Sequence, residues 1–335
     1  MKVLARVLVR GDGVAAACCA HLLRRSGIAV RTERTARPRV PAIVLSDTAL
    51  ALIRDVFERP GLLADSPRIE RRIVAWGASA SPATVPHAAI ATSEDSLLAA
   101  LAVEDDPGFD GPPDFVVQAG ASSPDGQRRF GSRKAVAAEV RMRTAEDLSA
   151  CWVEALDAGW LFVAPNPDGA SWLLAVGAPP EDLLAQSRLI ADRIDVKTVR
   201  SGAFDVCPRI AGFPTGEDWL ACGTAAIAFD PICGDGVAQA VREAVLAAAV
   251  IVAIRDGGDA AALLAHYELM LVAAVRRHLK LCADFYDAMG PKPWWSGELL
   301  MLAQGHRWCT AKLETAPEPR FVLRGFNLIP REAAA

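Results

Sequence analysis

The chain has 335 residues, of which 52% are hydrophobic and 23% charged, and its formal net charge is −4. This length corresponds to roughly two domains, and the apolar content is enough for a sizeable core, which excludes a disordered or charge-solvated protein. The slightly acidic balance gives no electrostatic support for nucleic-acid binding.

Apolar runs and cysteines indicate the compartment. The longest uncharged apolar run, Ala244–Ile254, has eleven residues, whereas a membrane-spanning helix needs about 20, so we expect a buried helix and no membrane contact. Arg6 and Arg10 interrupt the first apolar stretch, unlike a secretion signal. The eight cysteines form no C-x-x-C pattern. We therefore expect no disulfide framework, no metal site and a reducing, cytoplasmic location.

The clearest local pattern lies at the start of the chain. Val3–Val9 is typical of a strand, Gly11–Gly13 of a turn, and Val14–Arg25 of a helix that Gly27 ends. A second strand follows over Ile28–Glu33. The pattern predicts a βαβ half-unit.

The rest of the first half is less regular. Ser46 and Asp47 are expected to cap a helix that runs to about Arg59, and Ser93 is a candidate N-cap for a helix over Glu94–Val103. The remaining predictions are strands over Ile69–Trp76 and Phe115–Gly120 and a loop over Asp105–Pro113.

The second half of the chain has a different sequence pattern. Turn residues separate short β-rich runs, which indicates an antiparallel meander over Ala135–Met142, Ala150–Leu156, Trp160–Ala164 and Ser171–Gly177. A strand over Trp219–Gly223 and helices over Gly236–Arg255 and about Asp259–Ala288 follow. We predict an α/β nucleotide-binding core with a β-meander insertion and a helical C-terminal cap.

The first motif runs from Gly11 to Ala16. Gly11 permits a tight turn, and Gly13 lets the backbone approach a pyrophosphate at a helix N-terminus, while Ala16 takes the third, close-packing position. Glu33, twenty residues after Gly13, can accept hydrogen bonds from a ribose. These features favour dinucleotide binding. The alternative is a glycine turn between core elements with an exposed Glu33.

A second glycine motif precedes the helix at Gly236. The turn Asp230–Pro231 leads to Gly234–Asp235–Gly236, so free backbone N–H groups and the positive end of a helix dipole meet there. Such a terminus can stabilise negative charge on a flavin ring. The alternative is a doubled helix-start turn.

Together the two motifs, Gly11–Ala16 with Glu33 and Phe229–Gly236, resemble the FAD-dependent monooxygenases of the hydroxybenzoate-hydroxylase and tryptophan-halogenase superfamily. The resemblance implies a Rossmann-like FAD-binding domain over 1–125 and 203–258, a β-rich substrate domain over 126–202 and a helical region over 259–335. It also implies that the ADP half of FAD is held by Gly11, Gly13, Ala16, Glu33 and Arg34, and that the flavin ring is lined by Asp230, Pro231, Gly234, Asp235, Gly236 and Val237.

The segments Arg68–Gly77, Cys151–Pro165 and His266–Cys309 resemble one branch, the flavoprotein monooxygenases that build tryptophylquinone cofactors during quinohemoprotein amine dehydrogenase maturation. That branch implies reduction of FAD by NAD(P)H, directly or through a flavin reductase, and dioxygen as co-substrate. A flavin C4a-hydroperoxide would then hydroxylate a tryptophan of a protein or peptide.

Three departures qualify this resemblance. Thr224 and Ala119 occupy positions where the superfamily usually has aspartates, one contacting the flavin ribityl chain and one linked to NAD(P)H use. A separate flavin reductase therefore remains an alternative source of electrons. The halogenase tryptophan signature is incomplete over Gly159–Pro165, so halogenation is not expected.

Several further residues have two interpretations. Trp294–Trp295, expected in a proline-flanked loop, and His306 are candidate substrate contacts, with core packing as the alternative. His278 is expected on a solvated basic face or, alternatively, in a docking patch for an acidic partner. His266 is expected to pack and cap a helix start. Cys233 is expected to pack, with redox chemistry or a flavin link as the alternative.

Two rival functions remain open at this point. The same FAD scaffold supports a flavin-dependent reductase or dehydrogenase. The missing aspartates at Thr224 and Ala119 would also suit a non-catalytic flavin-fold chaperone in cofactor maturation.

Overall fold

The computed structural model of this protein describes residues 4–35, 37–77, 81–102, 109–120, 126–166, 170–199 and 202–331. The strands are β1 (Arg6–Arg10), β2 (Ala29–Glu33), β3 (Ile43–Ser46), β4 (Arg68–Ala75), β5 (Ala83–Thr92), β6 (Phe115–Gln118), β7 (Gln127–Arg129), β8 (Lys134–Met142), β9 (Ala150–Leu156), β10 (Gly159–Ala164), β11 (Ser171–Gly177), β12 (Ile194–Val199), β13 (Phe204–Asp205), β14 (Arg209–Ala211), β15 (Thr215–Gly216), β16 (Trp219–Ala221), β17 (Ile227–Ala228), β18 (Phe321–Arg324) and β19 (Asn327–Pro330). The α-helices are α1 (Val14–Arg25), α2 (Asp47–Phe57), α3 (Glu94–Ala100), α4 (Pro180–Gln186), α5 (Gly236–Arg255), α6 (Ala260–Asp287) and α7 (Pro293–Glu314).

A five-stranded sheet forms the first layer, in the order β15-β16-β6-β1-β2. β1 pairs in parallel with both β2 and β6, and β6 pairs in parallel with β16. Val7, Val9 and Val117 in its centre have no exposed surface, as expected for a parallel sheet covered on both faces. The predicted βαβ half-unit is confirmed here, with α1 over the predicted residues.

The second sheet has nine strands in the order β12-β8-β11-β10-β9-β4-β5-β3, with β13 also paired to β8. β9, β10 and β11 form the predicted antiparallel meander. The expected place of β8 beside β9 is wrong, because β8 pairs with β11 instead. Three strands from residues 43–92 extend it, and β4 joins β9 in parallel. The strand β5 was not predicted. Parts of the predicted loops at 105–113 and 166–169 lie outside the described residues.

Most of α5 is buried beside the first sheet. The helix is long and apolar enough to span a membrane, but 61% of its apolar window is buried inside the protein. It packs against α1, α2 and α6, and small residues such as Ala244, Ala247 and Ala248 allow the close approach. The prediction of a buried helix is therefore confirmed.

The C-terminal part is dominated by α6 packed on α7. The expectation that Trp294 and Trp295 lie in a loop is wrong, because both belong to the first turn of α7. Pro293 occupies the first helical position, where its missing N–H costs nothing, so the proline starts the helix instead of preventing it. The predicted α/β class, with a Rossmann-like core, a meander and a helical C-terminal region, is confirmed.

Candidate functional site

The strands β1, β6 and β16 are parallel and end at the same edge of the first sheet. Their last residues are Arg10, Gln118 and Ala221, and a glycine follows each within two positions. In open α/β sheets, ligands bind outside the carboxyl ends of the strands. A ligand site is therefore expected at this edge of the first sheet.

Gly11 follows β1 with a φ of +144°, a conformation that L side chains rarely adopt. A Cβ at this position would lie 2.6 Å from the carbonyl carbon of Ala119. The Gly11 N–H donates to the carbonyl oxygen of Glu33 at 2.9 Å, which ties the ends of β1 and β2 together. Only glycine fits this turn.

The N-terminus of α1 carries a positive dipole and two nearby guanidinium groups. Gly13 is the N-cap and makes no side-chain capping hydrogen bond. Arg37 and Arg39 both form ion pairs with Asp12, at 3.2 and 3.1 Å, and Arg37 also pairs with Glu94. An anion that approaches Gly13 would therefore meet the backbone N–H groups of the helix start and two guanidinium groups whose charge is balanced by Asp12, Glu94 and Asp95.

Glu33 and Arg34 lie at the outer end of this edge. Both are exposed, and the Glu33 carboxylate forms an ion pair of 2.8 Å with the Arg10 Nε. Ala16, the third motif position, is buried in α1. The carboxylate is thus accessible to a polar ligand, while Ala16 serves the packing of the helix.

The second glycine turn packs directly on the first. Gly223 follows β16 with a φ of +60°, and a Cβ there would lie 2.7 Å from the Cβ of Ala15 in α1. Thr224 is exposed beside it. The close approach brings the starts of α1 and of the 223–237 segment into one region.

The N-terminus of α5 opens onto free space. Apart from its chain neighbours and the nearby backbone of α5, no atom of the described residues lies within 4 Å of the position that a Cβ would take at Gly236. Asp235 makes no side-chain capping hydrogen bond and pairs instead with Arg242 at 2.7 Å. Gly234 has a φ of +63°, which ends the single helical turn Pro231–Cys233. The half-buried Val237 follows in the first turn of α5. This terminus can accept a planar ligand with negative charge.

The Asp230 side chain is buried and supports this turn from the protein interior. Its carboxylate is buried, forms an ion pair of 2.8 Å with Arg133 and accepts hydrogen bonds from Tyr286 Oη at 3.0 Å and from the Ile232 N–H at 2.9 Å. Burial raises the pKa of the Asp230 carboxyl, and the Arg133 guanidinium and these donors oppose the rise. Arg133 also pairs with the buried Glu298 of α7. No local pattern indicates this network, because its members lie far apart along the chain.

His278 is not on a solvated basic face, and that expectation is wrong. The side chain is buried, its ring stacks on Phe229 at 3.9 Å, and its Nε2 accepts a 2.8 Å hydrogen bond from the Asp230 N–H. Burial, together with the charges of Arg133 and Arg277, lowers the pKa of His278 to about 3. The imidazole is therefore neutral at physiological pH and holds the turn through the backbone.

A guanidinium from the second sheet reaches the same turn. Arg72 of β4 places its Nη2 3.7 Å from the position that a Cβ would take at Gly234, and 3.3 Å from the His87 Nε2. Arg72 was not predicted as a site residue, because it is one of four charged residues in β4 and nothing in the local sequence distinguishes it from the others. Arg72 adds positive charge beside the α5 N-terminus.

The paired tryptophans belong to an aromatic cluster between α7 and the second sheet. Trp295 is fully buried and donates from Nε1 to the Leu156 carbonyl at 2.8 Å, which fits the packing alternative. Trp294 is half-buried and stacks on Tyr286 at 5.9 Å. His306 lies farther along α7, also half-buried. Trp294 is therefore the more accessible of the two tryptophans.

His266 lies inside α6 rather than at its start. The helix is capped by Asp259, whose carboxylate accepts from the Ala262 N–H at 3.1 Å. The His266 side chain is buried and packs edge-on against Phe321. The packing expectation for His266 is thus confirmed, and the capping expectation is wrong.

No protein-family model matches this sequence, and no curated protein matches it. Solved structures do match. The peptidyl tryptophan dihydroxylase QhpG, essential for tryptophylquinone cofactor biogenesis, has a TM-score of 0.71 at 22% identity over 88% of this chain and 78% of its own. The flavin-dependent halogenase CmlS has a TM-score of 0.75 at 18% identity, over 94% and 72%. HpxO of Klebsiella pneumoniae, solved with FAD, has a TM-score of 0.64 at 14% identity, over 93% and 98%.

The fold is that of flavin-dependent monooxygenases and halogenases. The resemblance drawn from the two glycine motifs is thereby confirmed at the level of fold.

Proposed function

We propose that the protein is an FAD-dependent monooxygenase that hydroxylates a tryptophan side chain of a protein or peptide. The observation that carries this proposal is the contact of Gly223 with Ala15, which packs the glycine turn after β16 on the N-terminal turn of α1. The same segment leads on to the open N-terminus of α5. One terminus suits a pyrophosphate and the other an electron-poor ring.

The residues at the edge of the first sheet fit the ADP half of FAD. Gly11 and Gly13 allow the backbone to approach the pyrophosphate, and Arg37 stands 3.2 Å from the position that a Cβ would take at Gly13. The exposed Glu33 can accept hydrogen bonds from the ribose. Arg34, exposed beside it, is proposed to contact the same half.

The flavin ring is proposed to lie against the turn from Asp230 to Val237. FAD, when bound and reduced, supplies the activation of dioxygen. The chain supplies the environment: the open space at Gly236, the positive charge of Arg72 near Gly234 and a turn held from beneath by Arg133 and His278. Preorganised positive charge of this kind stabilises negative charge on a ring without reorganisation during the reaction.

The substrate proposal rests on the fold and on the aromatic cluster. QhpG, which shares the fold, is described as a peptidyl tryptophan dihydroxylase. In this chain Trp76 and Trp294 are half-buried at the edge of a cluster that also contains Trp295, and their rings could stack on an indole. An electron-rich indole needs positioning and exclusion of water more than it needs a catalytic base. We name no catalytic acid or base.

Electrons are proposed to come from NAD(P)H, either directly or through a separate flavin reductase. Ala119 is buried against Gly11, and Thr224 is exposed. Because neither residue is an aspartate, neither position supplies the carboxylate that is usual in the superfamily. This favours the separate reductase. The cytoplasmic location proposed above fits the free thiols of all eight cysteines, which lie within the described residues.

The experiment that tests the function has two steps. The purified protein is titrated with FAD, and binding is followed by the flavin absorption spectrum and fluorescence quenching. The reduced complex is then mixed with isotopically labelled dioxygen and tryptophan-containing peptides, and products are analysed by mass spectrometry. We expect FAD binding and the transfer of labelled oxygen to the indole.

Each rival gives a different result. A reductase or dehydrogenase would bind FAD and consume the reductant, but no labelled oxygen would enter the product. A maturation chaperone would bind a substrate protein and fail to bind FAD. Either result would overturn the proposed monooxygenase.

A further inference from the structure

Two cysteines meet beneath the turn that precedes α5. The Sγ atoms of Cys233 and Cys282 are 3.6 Å apart. Cys233 is the last residue of the single turn Pro231–Cys233 and is half-buried, whereas Cys282 lies on α6 with no exposed surface. The pair joins a surface turn to a buried helix.

We propose that Cys233 and Cys282 form a redox modification site, in which a peroxide converts the pair to a disulfide. In the first step the Cys233 sulfur attacks one oxygen of hydrogen peroxide, the O–O bond breaks, and a sulfenic acid and water form. In the second step the Cys282 sulfur attacks the Cys233 sulfur and the S–O bond breaks. The hydroxyl group leaves with the Cys282 proton as water. Two thiols are oxidised and one peroxide is reduced to two waters.

The positions of the two thiols assign their order of reaction. Only Cys233 has solvent access, so the oxidant meets it first. Cys282 lies between Cys233 and the His278 Nε2, at 3.3 Å from the latter, and burial raises the pKa of its thiol well above the ordinary value. Cys282 therefore stays a protected thiol until a sulfenic acid forms beside it.

A metal site is the competing use of the same atoms. The ligand atoms of Cys233, His278 and Cys282 all lie within 4.8 Å of one another. However, the His278 Nε2 already accepts the hydrogen bond of the Asp230 N–H, and its ring is stacked on Phe229. A metal would need that lone pair and would leave a buried N–H without a partner, at a cost in stability. Oxidation requires no such loss.

The disulfide would have a mechanical consequence. To close the distance, the turn must move toward α6, because Cys282 lies in the packed helix and Cys233 lies on a short, half-buried turn beside the exposed Gly234. The bond would then fix the segment that leads into the N-terminus of α5. If the proposed function holds, FAD exchange would slow or stop in the oxidised protein; this consequence alone rests on that function.

The test uses the full-length protein, first reduced and freed of reductant, with and without added FAD. It is treated with hydrogen peroxide at low molar excess, the remaining thiols are alkylated, and the digested peptides are analysed by mass spectrometry. We expect a linked pair of peptides containing Cys233 and Cys282 that dithiothreitol separates again. Because the linkage needs no FAD, it is tested even if the proposed function fails.

Three variants make the result specific. Cys233→Ala and Cys282→Ala should each abolish the linked peptide, whereas Cys207→Ala, which removes another buried thiol, should leave it unchanged. In Cys282→Ala, Cys233 should be trapped by a sulfenic-acid reagent such as dimedone, which also shows that the first step needs no partner. If the wild-type protein forms no linkage, or if stoichiometric zinc protects both thiols from alkylation and binds tightly, the proposal is overturned.

Discussion

The Arg133 guanidinium and the Asp230 carboxylate form an ion pair of 2.8 Å in which neither side chain is exposed to solvent. Arg133 precedes β8 of the second sheet, and Asp230 begins the turn that leads to α5. Glu298 of α7 pairs with the same guanidinium. One buried cation therefore fixes the turn relative to both the second sheet and the C-terminal helix.

Removing the Asp230 charge should strongly destabilise the protein. Asp230→Asn leaves Arg133 with only one carboxylate in a buried site, and the loss of one partner of a buried ion pair costs about 3–5 kcal/mol. Urea denaturation measures the free energy of unfolding. Asp235→Asn is the matched control, because Asp235 pairs with Arg242 at 2.7 Å near the surface, and about 1 kcal/mol or less is expected. Equal effects of the two variants would refute the role of the buried pair.

Stability should fall in acid because of His278. The folded-state pKa of His278 is lowered to about 3 from the ordinary 6.5, so between these values the unfolded chain binds more protons. The contribution of the neutral imidazole to the free energy of unfolding is fully present above pH 6.5 and is lost as the pH falls toward 3. The free energy of unfolding falls by at most about 5 kcal/mol over this range for this reason. His278→Gln cannot titrate, so its free energy of unfolding should depend less on pH in this window.

The same variant provides its own control. Above pH 7 the wild-type imidazole is neutral, so any difference in unfolding free energy there reports lost packing on Phe229 and not titration. The difference between the two proteins should narrow as the pH falls from 6.5. A constant difference down to pH 3 would show that His278 does not titrate on unfolding.

Gly11→Ala should abolish FAD binding. The new Cβ would lie 2.6 Å from the Ala119 carbonyl carbon at a φ of +144°, so the turn between β1 and α1 must move. Isothermal titration with FAD measures the loss. Gly27→Ala is the control, because Gly27 also has a positive φ of +77° but, beyond its chain neighbours, no atom of the described residues lies within 4 Å of its Cβ position. It should cost roughly 1–2 kcal/mol of stability and leave FAD affinity intact.

Glu33→Ala should weaken FAD binding without unfolding the protein. Glu33 is exposed, and a hydrogen bond to a charged group contributes about 1.5–3 kcal/mol, or roughly a tenfold to hundredfold change in Kd. Asp195→Ala removes a comparable exposed carboxylate, paired with Arg143 at 3.1 Å, and should not change the Kd. An unchanged Kd for FAD in Glu33→Ala would show that Glu33 does not contact the ribose.

Arg72→Met should slow the oxygenation more than it weakens FAD binding. Its guanidinium lies near Gly234, and removal of one group that stabilises developing charge lowers kcat by roughly a hundredfold to a thousandfold. Arg68→Met on the same strand removes a surface pair with Asp47 and should leave kcat unchanged. Stopped-flow spectroscopy of flavin re-oxidation follows both variants. Equal rates in Arg72→Met and wild type would exclude Arg72 from the reaction.

Local patterns predicted the first glycine turn well, because its signals lie within a short stretch. Glycine spacing, the helix over Val14–Arg25 and the caps at Ser46 and Ser93 are all encoded by neighbouring residues. The residues that support the second turn could not be found in this way. Arg133 and Tyr286 reach Asp230, and Glu298 reaches Arg133, from positions separated by more than 50 residues, and only tertiary packing brings them together.

Neighbouring charged residues led to a wrong prediction for His278. His278 follows Arg276 and Arg277, which suggested a solvated face, yet one side of α6 is apolar and buries the imidazole beside Phe229. The helix α7 was not predicted, because Pro291, Pro293 and Gly297 look like breakers at its start. Pro293 is tolerated at the first helical position.

The pairing of β4 with β9 has a consequence for synthesis on the ribosome. β4 and β5 can pair as soon as residue 92 has left the tunnel, but the other edge of β4 must wait for Ala150–Leu156. During that interval an unpaired strand edge is open to other chains. Arg68, Glu70, Arg71 and Arg72 place four charges on this strand, and charged side chains discourage edge-to-edge association. The nascent chain is thus protected from aggregation by residues that include the arginine proposed to serve the flavin turn.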